Sequence, residues 1–337
     1  MSVLFGIVVF FVSYLLTGLA RKYALNKNLL DDPNQRSSHT LPTPRGGGVS
    51  IVFLFIIFVL WGYINEEIDG SSFLVLFGSS IIVAGIGILD DHGHVSALWR
   101  LFVHFIAAIS ALYWLGGVPT LHIGMLLWHP GLFGNFFIAL LIVWSLNLYN
   151  FMDGIDGIAA SEGIFVFGSA AFVFWLNGTI SGFMLELMVV LVVAMIGFLA
   201  WNWPPAKIFM GDACSGFLGF IIVIFALMTT GNGEGSYLSW LILYGVFVVD
   251  ATVTLLRRVI SGEKFYEAHR CHTYQILSRR WNSHQKVTLM VWCINILWLL
   301  PLALMSMFYP FFAITFVIIA FAPLVIVTLI VGAGTTS

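Results

Sequence analysis

About eleven apolar stretches of roughly 17–22 residues, each long enough to cross a bilayer as a helix, follow one another through this sequence. They lie near 2–20, 46–63, 71–89, 99–116, 134–149, 163–177, 182–200, 214–230, 238–256, 288–308 and 310–333. No soluble core absorbs that many, and with 60% hydrophobic and 9% charged residues the chain has little polar surface to offer water. The expected fold is therefore an all-α, polytopic membrane protein, a single helical domain over 1–337. Residues 117–133, with Pro119 and Pro130, read as a re-entrant or interfacial segment. The first stretch lacks a small-residue cleavage site and runs into a basic loop, so it reads as a retained helix.

The basic residues set the topology. Eleven spans place the loops near 21–45, 90–99, 150–162, 201–213 and 257–287 on one side, and all 14 Lys and Arg residues fall in or beside them. By the positive-inside rule that side is cytoplasmic and the N-terminus is outside. Cys214, Cys271 and Cys293 form neither a disulfide framework nor a zinc pattern. Nothing in the pattern calls for nucleic acid; the partner it demands is the lipid bilayer.

The chemistry collects on that basic side. Asn147-Leu-Tyr-Asn-Phe-Met-Asp-Gly-Ile-Asp-Gly157 carries Asn147, Asn150, Asp153 and Asp156 at three-residue intervals, which would line one face of a helix. Carboxylates beside lipid are costly without a partner, and a cation is the obvious one. Asp90 and Asp91 close the third span, where the helix dipole disfavours acids. Asp212 precedes the eighth span, as an N-cap or a ligand, and Gly211 and Ser215 nearby suit an anion-binding helix start. His269, Arg270 and His272 lie in the last basic loop and suit phosphate. Arg45 leads Gly46-Gly-Gly48 into the second span, as a flexible linker or as backbone donors for a phosphate. An oxygen-rich carboxylate site points to Mg²⁺, or Mn²⁺, over zinc.

Other polar residues read more simply. His92, His94 and His104 are too few and too scattered for a metal site. Asp250 is expected to pair with Arg257 or Arg258, or to serve helix packing.

These motifs, in this order, resemble the polyprenyl-phosphate N-acetylhexosamine-1-phosphate transferases, in the branch that initiates O-antigen and other surface polysaccharides. The likeness runs from Asp32-Pro-Asn34, Arg36-Ser-Ser-His39 and Pro44-Arg-Gly-Gly-Gly48 through Leu89-Asp-Asp91, the Asn147–Gly157 segment and Phe209-Met-Gly-Asp212 to His269-Arg-Cys-His272. It implies a multi-pass protein of the bacterial inner membrane. The implied reaction takes a sugar-1-phosphate from a UDP-N-acetylhexosamine (GlcNAc, FucNAc or QuiNAc type) to undecaprenyl phosphate and releases UMP. By the same resemblance Asp90 and Asp91 serve the acceptor phosphate, and Asp212, with Asp90, holds Mg²⁺. Asn147, Asn150, Asp153 and Asp156 organise nucleotide and metal, with Asp153 and Asp156 grouped among the catalytic acids. His269, Arg270 and His272 hold the donor pyrophosphate, and Lys207 and Arg45 neutralise phosphate charge. A homodimer is left open.

Two departures stand out. Relatives often carry a Lys shortly after the Asp pair, for which Arg100 or a His is the substitute here. Cys214 takes a place commonly held by Gly, which would be strained if the backbone there needed φ > 0. The competing readings are the phospho-N-acetylmuramoyl-pentapeptide transferase of the same family and, from another class, a cation-coupled transporter, which would place its acids near mid-membrane.

Overall fold

The computed structural model describes residues 2–33, 41–93, 95–123, 126–178, 182–231, 236–263 and 270–335. It is an all-α bundle. In chain order it comprises α1 (Val3–Asn26), the short pair β1 (Leu30–Asp31) and β2 (Thr43–Pro44), α2 (Val49–Ile64), and α3 (Gly70–Phe73), joined by a π-helical turn at Leu74–Ser79 to α4 (Ser80–His92). Next come α5 (Ala97–Trp114), the short pair β3 (Leu121–Ile123) and β4 (Leu126–Trp128), α6 (Gly131–Met152), α7 (Ile158–Asn177), α8 (Gly182–Asn202) and α9 (Asp212–Gly231). The chain continues as α10 (Tyr237–Leu243), α11 (Gly245–Ile260), α12 (Thr273–Trp281) and α13 (His284–Ile294). A second π turn at Asn295–Leu299 leads into α14 (Leu300–Phe308), and α15 (Ala313–Val331) follows.

Among the described residues, nine helical segments are long and apolar enough to cross a membrane, and the bent pair α10–α11 makes a tenth. The apolar α2, of 16 residues, completes the eleven expected stretches. It starts at Val49, later than expected, because Gly46–Gly48 are engaged elsewhere. The ninth stretch is broken where a straight helix was expected: α10 and α11 meet at 77°. The break falls at Tyr244, just before Gly245, a residue with low helix propensity that also lets Phe321 and Leu299 close on the backbone. Residues 121–123 and 126–128 pair as antiparallel strands, which gives the expected interfacial segment its own backbone hydrogen bonds.

The spans are layered around α7 and α9, whose apolar windows are 83% and 89% buried, against 17% for α1 and α15. Fully buried Tyr149, Phe167, Phe217, Phe220, Phe225 and Phe247 fill the centre. Between membrane helices, close approach and polar contacts replace the hydrophobic drive available in water. A Cβ at Gly219 would lie 2.3 Å from the Ser145 carbonyl, so α6 and α9 pack backbone to backbone. There Ser145 Oγ donates to the Gly219 carbonyl at 2.7 Å. Ser13 Oγ likewise joins α1 to α8 through the Ala194 carbonyl at 2.6 Å.

Candidate active site at one end of the bundle

The loops that carry the basic residues meet at one end of the bundle. Residues 44–48 run alongside 209–210: Phe209 N donates to the Pro44 carbonyl at 2.8 Å, and Gly47 N and Gly48 N donate to the Phe209 and Met210 carbonyls at 2.9 Å each. The glycine run is thus neither a loose linker nor a free nest of donors. Gly47 and Gly48 are required by proximity, since a Cβ on Gly48 would fall 2.3 Å from Cys214 Cβ, whereas Gly46 is required by its φ of +90°. Cys214 itself sits unstrained inside α9. The left-handed residue is Gly211 (φ +84°), where a Cβ would lie 2.6 Å from Asp91 Oδ2. Gly87 admits α9 just as closely, 2.4 Å from Ala213 Cα.

These contacts press the end of α4 onto the start of α9. Asp91 is 4% exposed, and its carboxylate accepts from Asp212 N at 3.0 Å and Ala213 N at 3.3 Å. It therefore caps α9 from another helix. The unfavourable C-terminal dipole of α4 is offset by the positive N-terminus of α9. Asp90 accepts from Val95 N at 2.8 Å and is paired with Arg100, whose Nη1 also reaches Asp212 Oδ2 at 2.9 Å. One guanidinium from α5 so joins carboxylates from α4 and α9. Arg45 adds a positive charge near Asp91, and its buried Nε–H has no hydrogen-bond partner among the described residues.

The Asn/Asp segment divides. Helix α6 ends at Met152 with Asp153 as its C-cap, so the expected single helical face stops after Asn150. Asn150 Oδ1 accepts from Ser215 Oγ at 3.1 Å, beside the start of α9. Asn147 is turned back onto its own helix, donating to the Val143 carbonyl at 2.7 Å. Asp153 is half-buried, and burial first, then the charges of Asp212, Asp91 and Asp156, push its carboxyl well above the usual range. Asp156 turns away from the Asp90–Arg100–Asp212 cluster: it accepts from Ala206 N at 3.0 Å and lies 3.2 Å from His284 Nδ1. It lines a separate cleft of about 460 Å³ with Phe209, Pro205, Arg279 and Ser283.

The remaining expected residues are spread out. Lys207 is exposed, with Nζ 5.6 Å from the Trp201 ring centre, rather than aimed at the carboxylates. Arg270 is exposed, and its carbonyl accepts from Arg279 Nη2 at 2.8 Å. His269 lies outside the described residues. His272 is 3% exposed and stacks with Phe151 and Tyr274, so its ring faces protein where a free phosphate ligand was expected. Of the two roles expected for Asp250, helix packing is the one observed. Its carboxylate pairs with neither Arg257 nor Arg258 but accepts from Thr273 N at 2.8 Å and Tyr274 N at 3.1 Å, capping α12. Tyr274 Oη then donates to the Phe151 carbonyl at 2.8 Å, tying α12 to the end of α6. Neither Tyr274 nor His284 was a candidate site residue by sequence, and only the fold reveals their contacts.

Among the described residues no three His, Cys, Asp or Glu side chains form a ready-made metal cage. Asp90 and Asp212 do offer the hard oxygens that Mg²⁺ takes when one or two carboxylates hold it and ligand phosphates complete its shell.

The bundle is that of a multi-pass membrane protein whose span ends gather carboxylates and a guanidinium group, and it is likeness to named relatives that gives its class as glycosyl-1-phosphate transferase. The profile of glycosyl transferase family 4 matches residues 73–230. The chain is similar to the probable undecaprenyl-phosphate N-acetylglucosaminyl 1-phosphate transferase of Bacillus subtilis (strain 168), 28% identical over 297 residues that cover 86% of this chain and 82% of the relative. The decaprenyl-phosphate N-acetylglucosaminephosphotransferase of Mycobacterium leprae is 27% identical over 86% of this chain and 80% of its own length. The undecaprenyl-phosphate alpha-N-acetylglucosaminyl 1-phosphate transferase of Salmonella typhimurium is 29% identical, covering 77% and 72%.

Proposed function

We propose that the chain transfers N-acetylhexosamine-1-phosphate from a UDP-sugar to undecaprenyl phosphate, with N-acetylglucosamine as the first sugar to test. The product would be the first lipid-linked sugar of a surface polysaccharide such as O-antigen. The proposed setting is a bacterial inner membrane, with the N-terminus outside and the site at the cytoplasmic face. The observation that carries the reading is the Asp90–Arg100–Asp212 bridge, built on a helix start that Asp91 caps. The bridge joins helix ends, where a soluble nucleotide and a lipid headgroup can both reach, and this favours transfer over mid-membrane cation transport.

In the proposed step an oxygen of the lipid phosphate attacks the β-phosphorus of the UDP-sugar. The bond from that phosphorus to the bridging oxygen breaks, and UMP leaves with the oxygen. The lipid phosphate is largely ionised near neutral pH, so little base catalysis is needed; positioning and charge stabilisation dominate. Arg100 holds Asp90 and Asp212 in register and can meet phosphate with its exposed edge. Arg45 brings an unused N–H donor to the same place, and Asn150 and Ser215 brace the start of α9. Arg270 is the cation we assign to the donor pyrophosphate. Asp212, with Asp90, would hold Mg²⁺, which when bound supplies neutralising charge to the pyrophosphate.

The test is an assay of purified protein with undecaprenyl phosphate, Mg²⁺ and radiolabelled UDP-GlcNAc, UDP-FucNAc and UDP-QuiNAc. Lipid-linked sugar and UMP are expected in equal amounts; their absence with every donor would sink the proposal. Asp212→Asn should lower turnover on the order of a thousandfold, the loss of one preorganised charge at a reacting phosphoryl group. Near-normal turnover at limiting Mg²⁺ would withdraw Asp212 as a ligand.

A further inference from the structure

Two basic residues near the proposed site are spent on backbone. Arg257 Nη1 donates to the Ala333 carbonyl at 2.6 Å, and Arg280 Nη2 donates to the Val331 carbonyl at 3.0 Å. Just beyond them, Gly334 N donates to the Cys271 carbonyl at 3.0 Å. Ala333 is fully buried. Gly332 and Gly334 both have positive φ, +89° and +73°. The turn past α15 thus depends on residues without a Cβ. At Gly334 a Cβ would also meet the Thr254 carbonyl at 2.7 Å. Thr254 Oγ1 in turn donates to Asp250 at 3.1 Å, the carboxylate that caps α12.

Cys271 lies between exposed Arg270 and buried His272, so these contacts fix that short loop from two sides. Asp250 holds the amides just after it, and Gly334 holds its carbonyl. We infer that residues 331–334 form a positioning strap that presets the 270–272 loop for donor binding. The inference rests on the assignment of Arg270 to the donor pyrophosphate. An exposed arginine on a loose loop must be ordered each time a phosphate binds, and a strap that orders it beforehand removes part of that cost. Arg257, which the sequence offered as a partner for Asp250, and Arg280 act here as anchors of the strap.

The test uses the full chain in a Cys293→Ser background, where buried Cys214 is silent and Cys271 is the reporting thiol. Gly334→Ala should speed maleimide alkylation of Cys271 by about fivefold, the factor one net hydrogen bond sets. The KM for UDP-N-acetylglucosamine should rise by a similar factor, about fivefold, while the KM for undecaprenyl phosphate stays unchanged. Arg257→Ala, which removes the donor without adding bulk, should move both readouts the same way. Unchanged alkylation in both variants overturns the strap, whatever the turnover. Faster alkylation with an unchanged donor KM overturns its role in donor binding. Faster alkylation in a protein whose wild type transfers no sugar would keep the strap and sink the transferase reading instead.

Discussion

Two helices at the working end of the bundle begin in the same way and face different surroundings. Both α9 and α12 are capped by a carboxylate from another helix, Asp91 on Asp212 and Ala213, Asp250 on Thr273 and Tyr274. Beside the α9 cap stand side chains that keep their charge partly exposed: Arg100 at 32% and Asp212 at 29%. Beside the α12 cap stands His272, 3% exposed and stacked between aromatic rings. A buried carboxylate on two N–H groups is a rigid fixture in both places. Where its neighbours remain exposed it can hold chemistry; where they are buried it can only hold position.

Replacing each cap in turn tests that division most severely. Asp91→Asn and Asp250→Asn each exchange one acceptor oxygen for an amide N–H that faces another N–H, and each should cost about 1–3 kcal/mol of stability. Their kinetics should differ. Asp91→Asn displaces Asp212 itself and should lower kcat on the order of a hundredfold, the effect of small misplacements at a reacting centre. Asp250→Asn should act chiefly on the donor KM, by about fivefold. Equal losses of kcat in both variants, read from steady-state transfer assays, would erase the distinction between the two starts.

Asp153 lies between the two regions, and its raised carboxyl supplies a smaller effect. Burial is the main cause, followed by the charges of Asp212, Asp91 and Asp156. Because the folded state holds this proton more tightly than the unfolded chain, the stability it contributes is complete below the unfolded value of about 4. It is then lost as pH rises toward the folded value. In metal-free protein, Asp153→Asn should therefore match the wild type near pH 4 and exceed it increasingly at higher pH. Melting temperatures in chelator across that range provide the measurement. A constant difference between the two proteins would show that Asp153 ionises freely in the folded state.

Much of this arrangement was legible from residue order. Each apolar stretch corresponds to a helix or a bent helix pair, because backbone satisfaction in lipid leaves few alternatives. Asp90, Asp91, Asp153 and Asp212 meet at one end, because alternating spans bring every second loop together. What could not be read were contacts between residues far apart in sequence. The mismatch of two acids with the dipole of α4 was visible, but the helix start that resolves it lies 121 positions away. The three-residue Asn/Asp spacing suggested one face, whereas the helix stops at Met152 and sends Asp156 to His284. Asp250 sits two turns from Arg257 and Arg258 and binds neither, since two buried amides of α12 offer a better-fixed partner.

Lys207 marks how far the charged region of α9 extends upstream, and it carries the smallest expected effect. It precedes Asp212 by five positions, close enough in sequence to suggest a phosphate role, yet its ammonium lies over Trp201. An exposed contact of that kind is worth about 0.5–1 kcal/mol. If stacking is its whole role, Lys207→Gln should leave both KM values and kcat within about twofold of wild type, since no charge is removed from the cluster. A larger fall confined to the donor KM would mean that Lys207 leaves Trp201 when the nucleotide binds. The exposed charges that distinguish the α9 start would then include the loop before it, and Trp201 would be the resting place of a mobile phosphate ligand.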